Sequence, residues 1–362
     1  MGSVYIFSDF GKLGKKEESL CFSSHDGTER RIFLHRTDRI IITGAVEISS
    51  AAIRMLMKHK IDTVFLSKNG KFNGKIEFQE GRNVFLRKRQ YQILDDEAAG
   101  RGLAASIIRG KIQNQVNFMQ RIGRKKDVDS IDATIAGAKK CLDDLGTANS
   151  MESLRGYEGY ASRLFFSVLK QNITPDWARF AGRSMHPPKD EVNAVLSFLY
   201  TLLLYRVDSY VEMVGLDPYV GYLHTLSYGK RALTFDLMEE YRTSIADTLC
   251  CALFNLGILN KSDFNSSIFS VDDDNQPLDT PVEVQEGSNV IESAERLSGV
   301  LLTADGLKKV SAQFEEKMAT TIFYPPNADK ISYQQVMIEQ VKHFSRVLMG
   351  CQATSRTDPL AT

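Results

Sequence analysis

The first part of the chain, up to about residue 79, consists of short apolar runs separated by turn signals. Six runs rich in β-branched and aromatic residues are typical of strands, and they lie at residues 4–7, 19–22, 31–34, 39–42, 63–66 and 75–78. Between Ser49 and Lys60, by contrast, Ile53, Leu56 and Met57 follow a helical spacing behind serine caps. The pattern predicts a small β-rich domain, sandwich-like or barrel-like, that contains one helix.

Beyond residue 81 the apolar positions recur with the period of helices. This periodicity extends over residues 84–121, 154–169, 191–213, 232–256 and 331–349. The sequence therefore predicts an α+β protein with a β-rich N-terminal domain over residues 1–84 and a larger all-α domain over residues 85–362. Residues 265–290 contain Gly, Pro, Ser, Asn and acids without helical periodicity, so we expect a mobile acidic loop there.

Composition narrows the class of protein. With 43% hydrophobic and 25% charged residues, the chain has the make-up of an ordinary globular protein. The longest apolar run, around residues 196–205, is about half of the roughly 20 residues that a membrane-spanning helix needs. The N-terminus lacks the pattern of a signal peptide, and the five cysteines form no CxxC pair. We therefore expect a cytoplasmic protein with no membrane partner.

Charge is distributed unevenly along the chain, although 45 basic and 45 acidic residues balance overall. Residues 262–295 contain nine acids and no Lys or Arg, so this segment carries −9 and the remainder carries +9. A basic body is compatible with a polyanionic partner such as DNA. A solvated surface loop is the alternative interpretation of the acidic segment.

The stretch 154–165 places one carboxylate on an apolar helical face. Leu154, Glu158, Ala161 and Phe165 share this face. A buried carboxylate needs a cationic partner or a metal ion, because desolvation of an isolated charge is costly. The spacing alone leaves two interpretations open, namely a metal ligand or a structural Glu paired with an Arg.

A second group of polar residues lies between residues 215 and 242. Asp236 and Glu239 stand three residues apart on a predicted helix, so their carboxylates face the same way. His224 precedes that helix and is close enough to fold back onto it. One imidazole with two or three carboxylates suits magnesium or manganese better than zinc. An exposed helix surface with a structural His explains the same spacing.

Four motifs in this chain occur in an order and spacing that resemble a known family. They are Gly156-Tyr157-Glu158-Gly159, the stretch from Pro187 to Phe198, the stretch from Gly215 to His224, and the stretch from Asp236 to Arg242. Together they resemble the catalytic CRISPR-associated integrase of spacer acquisition, the "Cas one" family. Further likeness at residues 65–74, 86–91, 111–115 and 302–306 extends the resemblance over nearly the whole chain.

The resemblance implies a β-rich N-terminal domain that dimerises and an α-helical catalytic domain that binds DNA. It implies that Glu158, His224 and Glu239 hold Mg²⁺ or Mn²⁺ and that Asp236 supports them. The implied reaction inserts a short duplex into a CRISPR repeat array through attack by a 3′-hydroxyl, with hydrolysis as a side activity. The implied partners are the prespacer duplex, the repeat and leader DNA, a second copy of the chain, and a small ferredoxin-like subunit, "Cas two".

Seven basic residues are candidate phosphate contacts: Arg87, Lys111, Arg163, Arg183, Lys230, Arg231 and Arg242. Two other functions remain open at this point. One is a relative that serves a mobile element or DNA repair with the same chemistry, and the other is a non-catalytic DNA-architectural subunit. The intact set of Glu158, His224 and Glu239 disfavours the architectural function, because such a protein needs no metal site.

Overall fold

The computed structural model describes most of the chain. The described residues are 2–67, 70, 72–77, 83–124, 131–184, 187–271, 277–281 and 296–350. The chain forms two compact units. The first unit comprises residues 1–79, 184–201 and 259–315, and the second comprises residues 80–183, 202–258 and 316–362. The N-terminal stretch of the first unit ends near the predicted boundary at residue 84, but two later stretches also belong to it. The division into domains 1–84 and 85–362 stays a prediction.

Six strands of the first unit form one mixed sheet. They are β1 (Gly2–Lys16), β2 (Ser19–Ser24), β3 (Glu29–Ile32), β4 (Thr37–Ile48), β5 (Asp62–Leu66) and β6 (Phe72–Ile76). Their order is β3-β2-β1-β4-β5-β6, with β1 parallel to β4 and β4 parallel to β5. Each strand overlaps one of the six predicted runs. The expected sandwich or barrel is refined to a single sheet whose edges are β3 and β6.

The predicted helix is confirmed as α1 (Ser50–Lys58). The Ser49 hydroxyl accepts the Ala52 N–H at 3.2 Å, which caps the first turn. Because α1 connects the parallel strands β4 and β5, it lies on one face of the sheet. Leu56 of α1 and Leu13 of β1 are completely buried in the resulting core. Apolar burial of this kind supplies most of the stabilisation of such a unit.

The expected acidic loop contains strands where the structure describes it. β7 (Phe264–Val271) pairs with β8 (Pro277–Pro281) and with β9 (Arg296–Leu302), both antiparallel. The mobile loop over residues 265–290 is therefore wrong for residues 265–271 and 277–281, and the rest of it lies outside the described residues. Backbone pairing with β9, which is distant in sequence, outweighs the polar composition. Asp263 is also structural, because both its oxygens accept from Lys309 Nζ at 2.8–2.9 Å.

Helices dominate the rest of the chain, together with a hairpin. They are α2 (Val84–Leu94), α3 (Glu97–Gly123), α4 (Ile131–Asp144), α5 (Met151–Asn172), α6 (Glu191–Val214), α7 (Ala232–Tyr241), α8 (Thr248–Asn255), α9 (Ala304–Ala319) and α10 (Tyr333–Leu348); the hairpin is β10 (Thr321–Tyr324) with β11 (Asp329–Ser332). A π-helical segment, Arg242–Asp247, joins α7 to α8. The predicted helix over residues 84–121 is broken because the Asp96 carboxylate accepts the Ala99 N–H and starts α3 there.

The α+β fold class is confirmed, with a β-rich N-terminal region followed by a mostly helical one. The all-α description of residues 85–362 needs a correction, because β7 to β11 all lie within that range. In the second unit, α3 packs on α5, where the Phe118 and Phe165 rings meet edge to face with centroids 5.3 Å apart. This packing brings the polar side chains of the two helices together.

Among the described residues, α6 is the helix that is long and apolar enough to cross a membrane. Of its most apolar stretch, 67% is buried inside the protein. Core helices of folded proteins pass the same test of length and composition, so this helix is weak support for a membrane span.

Candidate active site

Glu158 lies on α5, on the face that the sequence predicts. Leu154, Ala161 and Phe165 of this face are completely buried, while the Glu158 side chain is 25% exposed. The Ser162 hydroxyl, one turn further along, donates to Glu158 Oε1 at 3.0 Å. The apolar stripe thus fixes the orientation of α5, and the carboxylate at its edge faces α3.

Lys111 of α3 provides the partner of this carboxylate. Its ammonium donates to Glu158 Oε1 and lies 2.7 Å from Glu239 Oε2. The alternative of a structural Glu paired with an Arg is wrong, because the cation beside Glu158 is Lys111. Burial alone would lower the pKa of Lys111, but Glu239 and Glu158 raise it above its usual value. A single buried ammonium group therefore bridges two carboxylates from different helices.

His224 folds back onto α7, as expected from its position before that helix. The Asp236 carboxylate is completely buried and accepts the backbone N–H groups of Tyr222, Leu223 and His224 at 2.6–2.9 Å. Its Oδ1 also lies 2.7 Å from His224 Nδ1. Because both Asp236 oxygens accept from backbone N–H groups, His224 Nδ1 is assigned as the donor to Oδ1, and Nε2 lies 3.9 Å from Glu239 Oε1. Asp236 is thus placed to support the histidine.

The segment that carries His224 is held by two further contacts. A Cβ atom at Gly221 would lie 2.6 Å from the Ala232 carbonyl carbon and 2.8 Å from an Asp236 oxygen. Only glycine permits this close approach of the segment to α7. Arg155 of α5 donates to the Leu223 carbonyl at 2.9 Å, which ties the segment to the helix of Glu158. Apart from the motif that contains Gly221, nothing in the sequence indicated these roles of Gly221 and Arg155.

Glu239 completes the site on α7, one turn after Asp236. Its carboxylate is 3% exposed, and Oε1 lies 3.2 Å from Arg242 Nη1 and 3.9 Å from His224 Nε2. Burial alone would raise the pKa of Glu239, but Arg242 and Lys111 lower it to about 2. Glu239 is therefore a carboxylate at neutral pH. The structure brings Glu158, His224, Asp236 and Glu239 together around Lys111.

The seven predicted phosphate contacts differ in their surroundings. Lys111 and Arg231 both point into the protein and pair with acids, which disfavours a contact with phosphate, although their role stays a prediction. Arg231 Nη1 contacts both Asp208 oxygens and Glu212 Oε1, each at 2.9 Å. These salt bridges direct the charge inward, and loss of either partner would leave an uncompensated charge in the protein.

The other five basic residues are more accessible. Arg163 is exposed and stacks over the Tyr160 ring at 5.1 Å. Lys230 lies 5.9 Å from the Phe235 ring, which in turn is 5.6 Å from the His224 ring. Arg87, Arg183 and Arg242 are half-buried, and Arg87 donates to the Gly215 carbonyl at 3.3 Å. Contact of any of these residues with DNA stays a prediction.

The donor set suits a divalent metal in kind. Two carboxylates with one imidazole form a ligand set, mostly of oxygen atoms, that suits Mg²⁺ or Mn²⁺. The buried Glu239 Oε2 also has no hydrogen bond of good geometry. In the described part of the chain, however, no three His, Cys, Asp or Glu side chains are already arranged around one point. The Lys111 ammonium lies between Glu158 and Glu239 instead. The ligand types therefore suit Mg²⁺ or Mn²⁺, and the Lys111 ammonium contacts both carboxylates.

Comparison with known proteins identifies the family of this chain. Residues 4–271 match the family described as CRISPR associated protein Cas1. The match covers well over half of the chain and includes Glu158, His224, Asp236 and Glu239. A CRISPR-associated endonuclease Cas1 from Rhodospirillum rubrum is 35% identical over 275 residues, which cover 73% of this chain and 79% of that protein. The chain belongs to the Cas1 family, so the resemblance stated from its motifs is confirmed.

Solved structures share the fold at lower identity. A casposase bound to integration product matches with a TM-score of 0.81 and 20% identity, covering 100% of this chain and 95% of that one. A chain from a Cas6-RT-Cas1–Cas2 complex matches with a TM-score of 0.75 and 22% identity, covering 97% of this chain and 35% of that one. At such identities the likeness supports the α+β architecture alone.

Proposed function

We propose that this chain is a divalent-metal-dependent DNA integrase and endonuclease that inserts short duplexes into a CRISPR repeat array. The observation that carries the proposal is the convergence of Glu158, His224 and Glu239 from three separate segments in a member of the Cas1 family. A fold needs no such convergence of buried charges for stability, because replacing buried ion pairs with apolar residues is often neutral or stabilising.

In this proposal, Glu158, His224 through Nε2 and Glu239 hold Mg²⁺ or Mn²⁺. The bound ion supplies electrostatic stabilisation of the charge that develops on the scissile phosphate and on the leaving oxygen. Asp236 keeps the proton on His224 Nδ1 and fixes the orientation of the ring. Glu239 is deprotonated at neutral pH and needs no proton transfer before it binds a cation.

The proposed reaction is a transesterification. The 3′-hydroxyl oxygen of the incoming duplex loses its proton to solvent and forms a bond to phosphorus. The bond from phosphorus to the departing 3′ oxygen breaks, and that oxygen keeps the electron pair and takes up a proton from solvent. When water replaces the hydroxyl group, the same site cleaves DNA. Positioning of the two DNA partners contributes as much as the charge, because an in-line approach removes most of the entropic cost. Arg163 is exposed and Lys230 is half-buried, and both are proposed to contact phosphates.

The proposed partners are prespacer duplex DNA, the repeat and leader DNA, a second copy of the chain joined through the β-rich region, and a Cas2 subunit. The Cas2 proposal draws on the structural match to a chain of a Cas6-RT-Cas1–Cas2 complex. A cytoplasmic location without a membrane partner follows from DNA as the substrate.

The structural likeness to a casposase keeps a mobile-element integrase as the second candidate. A neighbouring repeat array and Cas2 gene would favour the first function, and their absence the second.

The test is a joining assay with the full chain, Cas2, a duplex with free 3′-hydroxyls and supercoiled DNA containing a repeat. Mg²⁺ or Mn²⁺ should support joining, and EDTA should abolish it. Glu158→Ala, His224→Ala and Glu239→Ala should each abolish joining while duplex binding persists and weakens steeply with salt. Joining at wild-type rates by all three variants would refute the proposed site.

A further inference from the structure

Lys111 occupies the position between two carboxylates where the proposed function requires a divalent cation. Its ammonium is ion-paired with Glu158 Oε1 and Glu239 Oε2, and the residue is 7% exposed. The long, flexible side chain of lysine carries a compact charge. Together with Arg242, which lies 3.2 Å from Glu239 Oε1, Lys111 therefore balances the two carboxylates with cations of the same chain.

We propose that Lys111 is an internal counter-ion that a divalent metal displaces when it binds Glu158 and Glu239. Lys111 then has two effects on the site. It stabilises the two carboxylates when no metal is bound, and it lowers the affinity of the site for metal. This inference rests on the proposed function, because it takes these two residues as metal ligands.

Electrostatics argues that the ammonium and the metal compete. Glu158 and Glu239 already face two cations, Lys111 and Arg242. Charges this close interact strongly away from water, because the protein interior screens them less than solvent does. A divalent ion at the two carboxylates must therefore repel the ammonium or drive it away. Without Lys111, the same two carboxylates would attract the ion without this opposition.

The contacts of Lys111 allow such a displacement. Glu239 Oε2, which lies 2.7 Å from the ammonium, makes no hydrogen bond of good geometry. The helices themselves are joined by other residues, since the Asn114 amide donates to the Glu240 carbonyl at 2.8 Å. Gln115 donates to the Ser162 hydroxyl at 3.4 Å. The packing of α3 on α5 and α7 thus does not depend on the ammonium alone.

Calorimetric titration of the full chain with Mn²⁺ tests the proposal. Lys111→Met, which keeps the apolar length of the side chain, should bind Mn²⁺ at least about tenfold more tightly than wild type. Lys170→Met is the matched control, because Lys170 is an exposed lysine on α5, and it should bind like wild type. Equal or weaker Mn²⁺ binding by Lys111→Met would overturn the proposal, because a purely structural lysine would give that result.

Thermal unfolding provides a second measurement if metal-free Lys111→Met folds poorly. Lys111→Met and the polar variant Lys111→Gln, purified with Mn²⁺, should lose thermal stability in EDTA more than wild type does. Added Mn²⁺ should raise their melting temperatures by more than it raises that of wild type. Equal shifts in the three proteins would contradict displacement of the ammonium by the metal.

One further variant separates this inference from the proposed function. Glu239→Gln in the wild-type background should lose most of the Mn²⁺ affinity. Unchanged affinity would overturn both proposals, since the metal would then bind elsewhere. Lost affinity in Glu239→Gln together with no gain in Lys111→Met would overturn the counter-ion proposal alone and leave the metal site standing.

Discussion

In each of two clusters of the second unit, one cation bridges two carboxylates, and the clusters differ in the hydrogen bonds that these groups make. In the first, Lys111 bridges Glu158 and Glu239. In the second, Arg231 bridges Asp208 and Glu212. Similar charges thus occur twice in one unit, and charge alone does not distinguish the candidate site from a structural ion pair.

The hydrogen bonds distinguish the two clusters. Arg231 makes three contacts of 2.9 Å to its acids, and the Thr234 hydroxyl donates to Asp208 Oδ1 at 2.9 Å. A planar guanidinium with such partners is firmly held. The buried Glu239 Oε2 lacks a comparable hydrogen bond. We therefore expect the cluster of Arg231 to contribute to stability, and the cluster of Lys111 to contain the cation that we propose a metal displaces.

The largest expected effect is on catalysis. Glu239→Gln should lower the rate of DNA joining by at least about a hundredfold, because electrostatic stabilisation of the transition state is commonly worth that much. Glu212→Gln, at the half-exposed acid of the other cluster, should leave joining within a few-fold of wild type. Rates from single-turnover joining assays provide the comparison. Similar losses in both variants would contradict the division into a catalytic and a structural cluster.

The next effect is on stability. Arg231→Met should lower the free energy of unfolding by about 3–5 kcal/mol, because it removes the cation that contacts both oxygens of the buried Asp208 carboxylate. Mn²⁺ should not restore this loss, in contrast to the loss expected in Lys111→Met. Denaturant unfolding with and without Mn²⁺ measures both quantities. Restoration of Arg231→Met by Mn²⁺ would show that the two clusters do not differ as described.

Asp236→Asn should reduce joining by about tenfold to a hundredfold, which is typical when the residue that orients a metal ligand is changed. The loss should be smaller than in Glu239→Gln, because Asp236 contacts His224 and backbone N–H groups instead of the metal. The same assay decides the matter. Equal losses in the two variants would place Asp236 among the metal ligands.

The smallest effects concern two glycines near the site. Gly221→Ala should destabilise the protein by about 1–3 kcal/mol, because its Cβ would press on the Ala232 backbone and on Asp236. A Cβ at Gly159 of α5 meets no atom within 4 Å, so Gly159→Ala should stabilise the helix by about 0.5–1 kcal/mol. Melting curves of both variants test this. Destabilisation by Gly159→Ala would reveal a close approach that the structure lacks.

Local patterns predicted the strands of the first sheet and the return of His224 to α7, whereas the family resemblance alone implied that Glu158 joins His224 and Glu239. The alternation of apolar residues and turns placed all six N-terminal strands, and Ser49 marked the start of α1. The position of His224 before the helix of Asp236 and Glu239 was enough to predict that the imidazole folds back. These features depend on residues that are close in sequence, where periodicity and capping act directly.

Features that depend on distant residues were not predictable. The partner of Glu158 is 47 positions away, and nothing in the spacing distinguishes Lys111 from other basic residues on α3. Strand β7 forms because its backbone pairs with β9, although its sequence continues into an acidic stretch. The π-helical segment after Glu239 also had no local signal, although such segments are frequent at functional sites.

The most direct measurement is the location of bound Mn²⁺ by anomalous scattering from crystals of the full chain soaked with the ion. We expect an anomalous peak within bonding distance of Glu158, His224 Nε2 and Glu239, with the Lys111 ammonium moved away from both carboxylates. A peak away from these three residues would rule out the proposed metal site, and an undisturbed Lys111 bridge at saturating Mn²⁺ would rule out displacement of the ammonium.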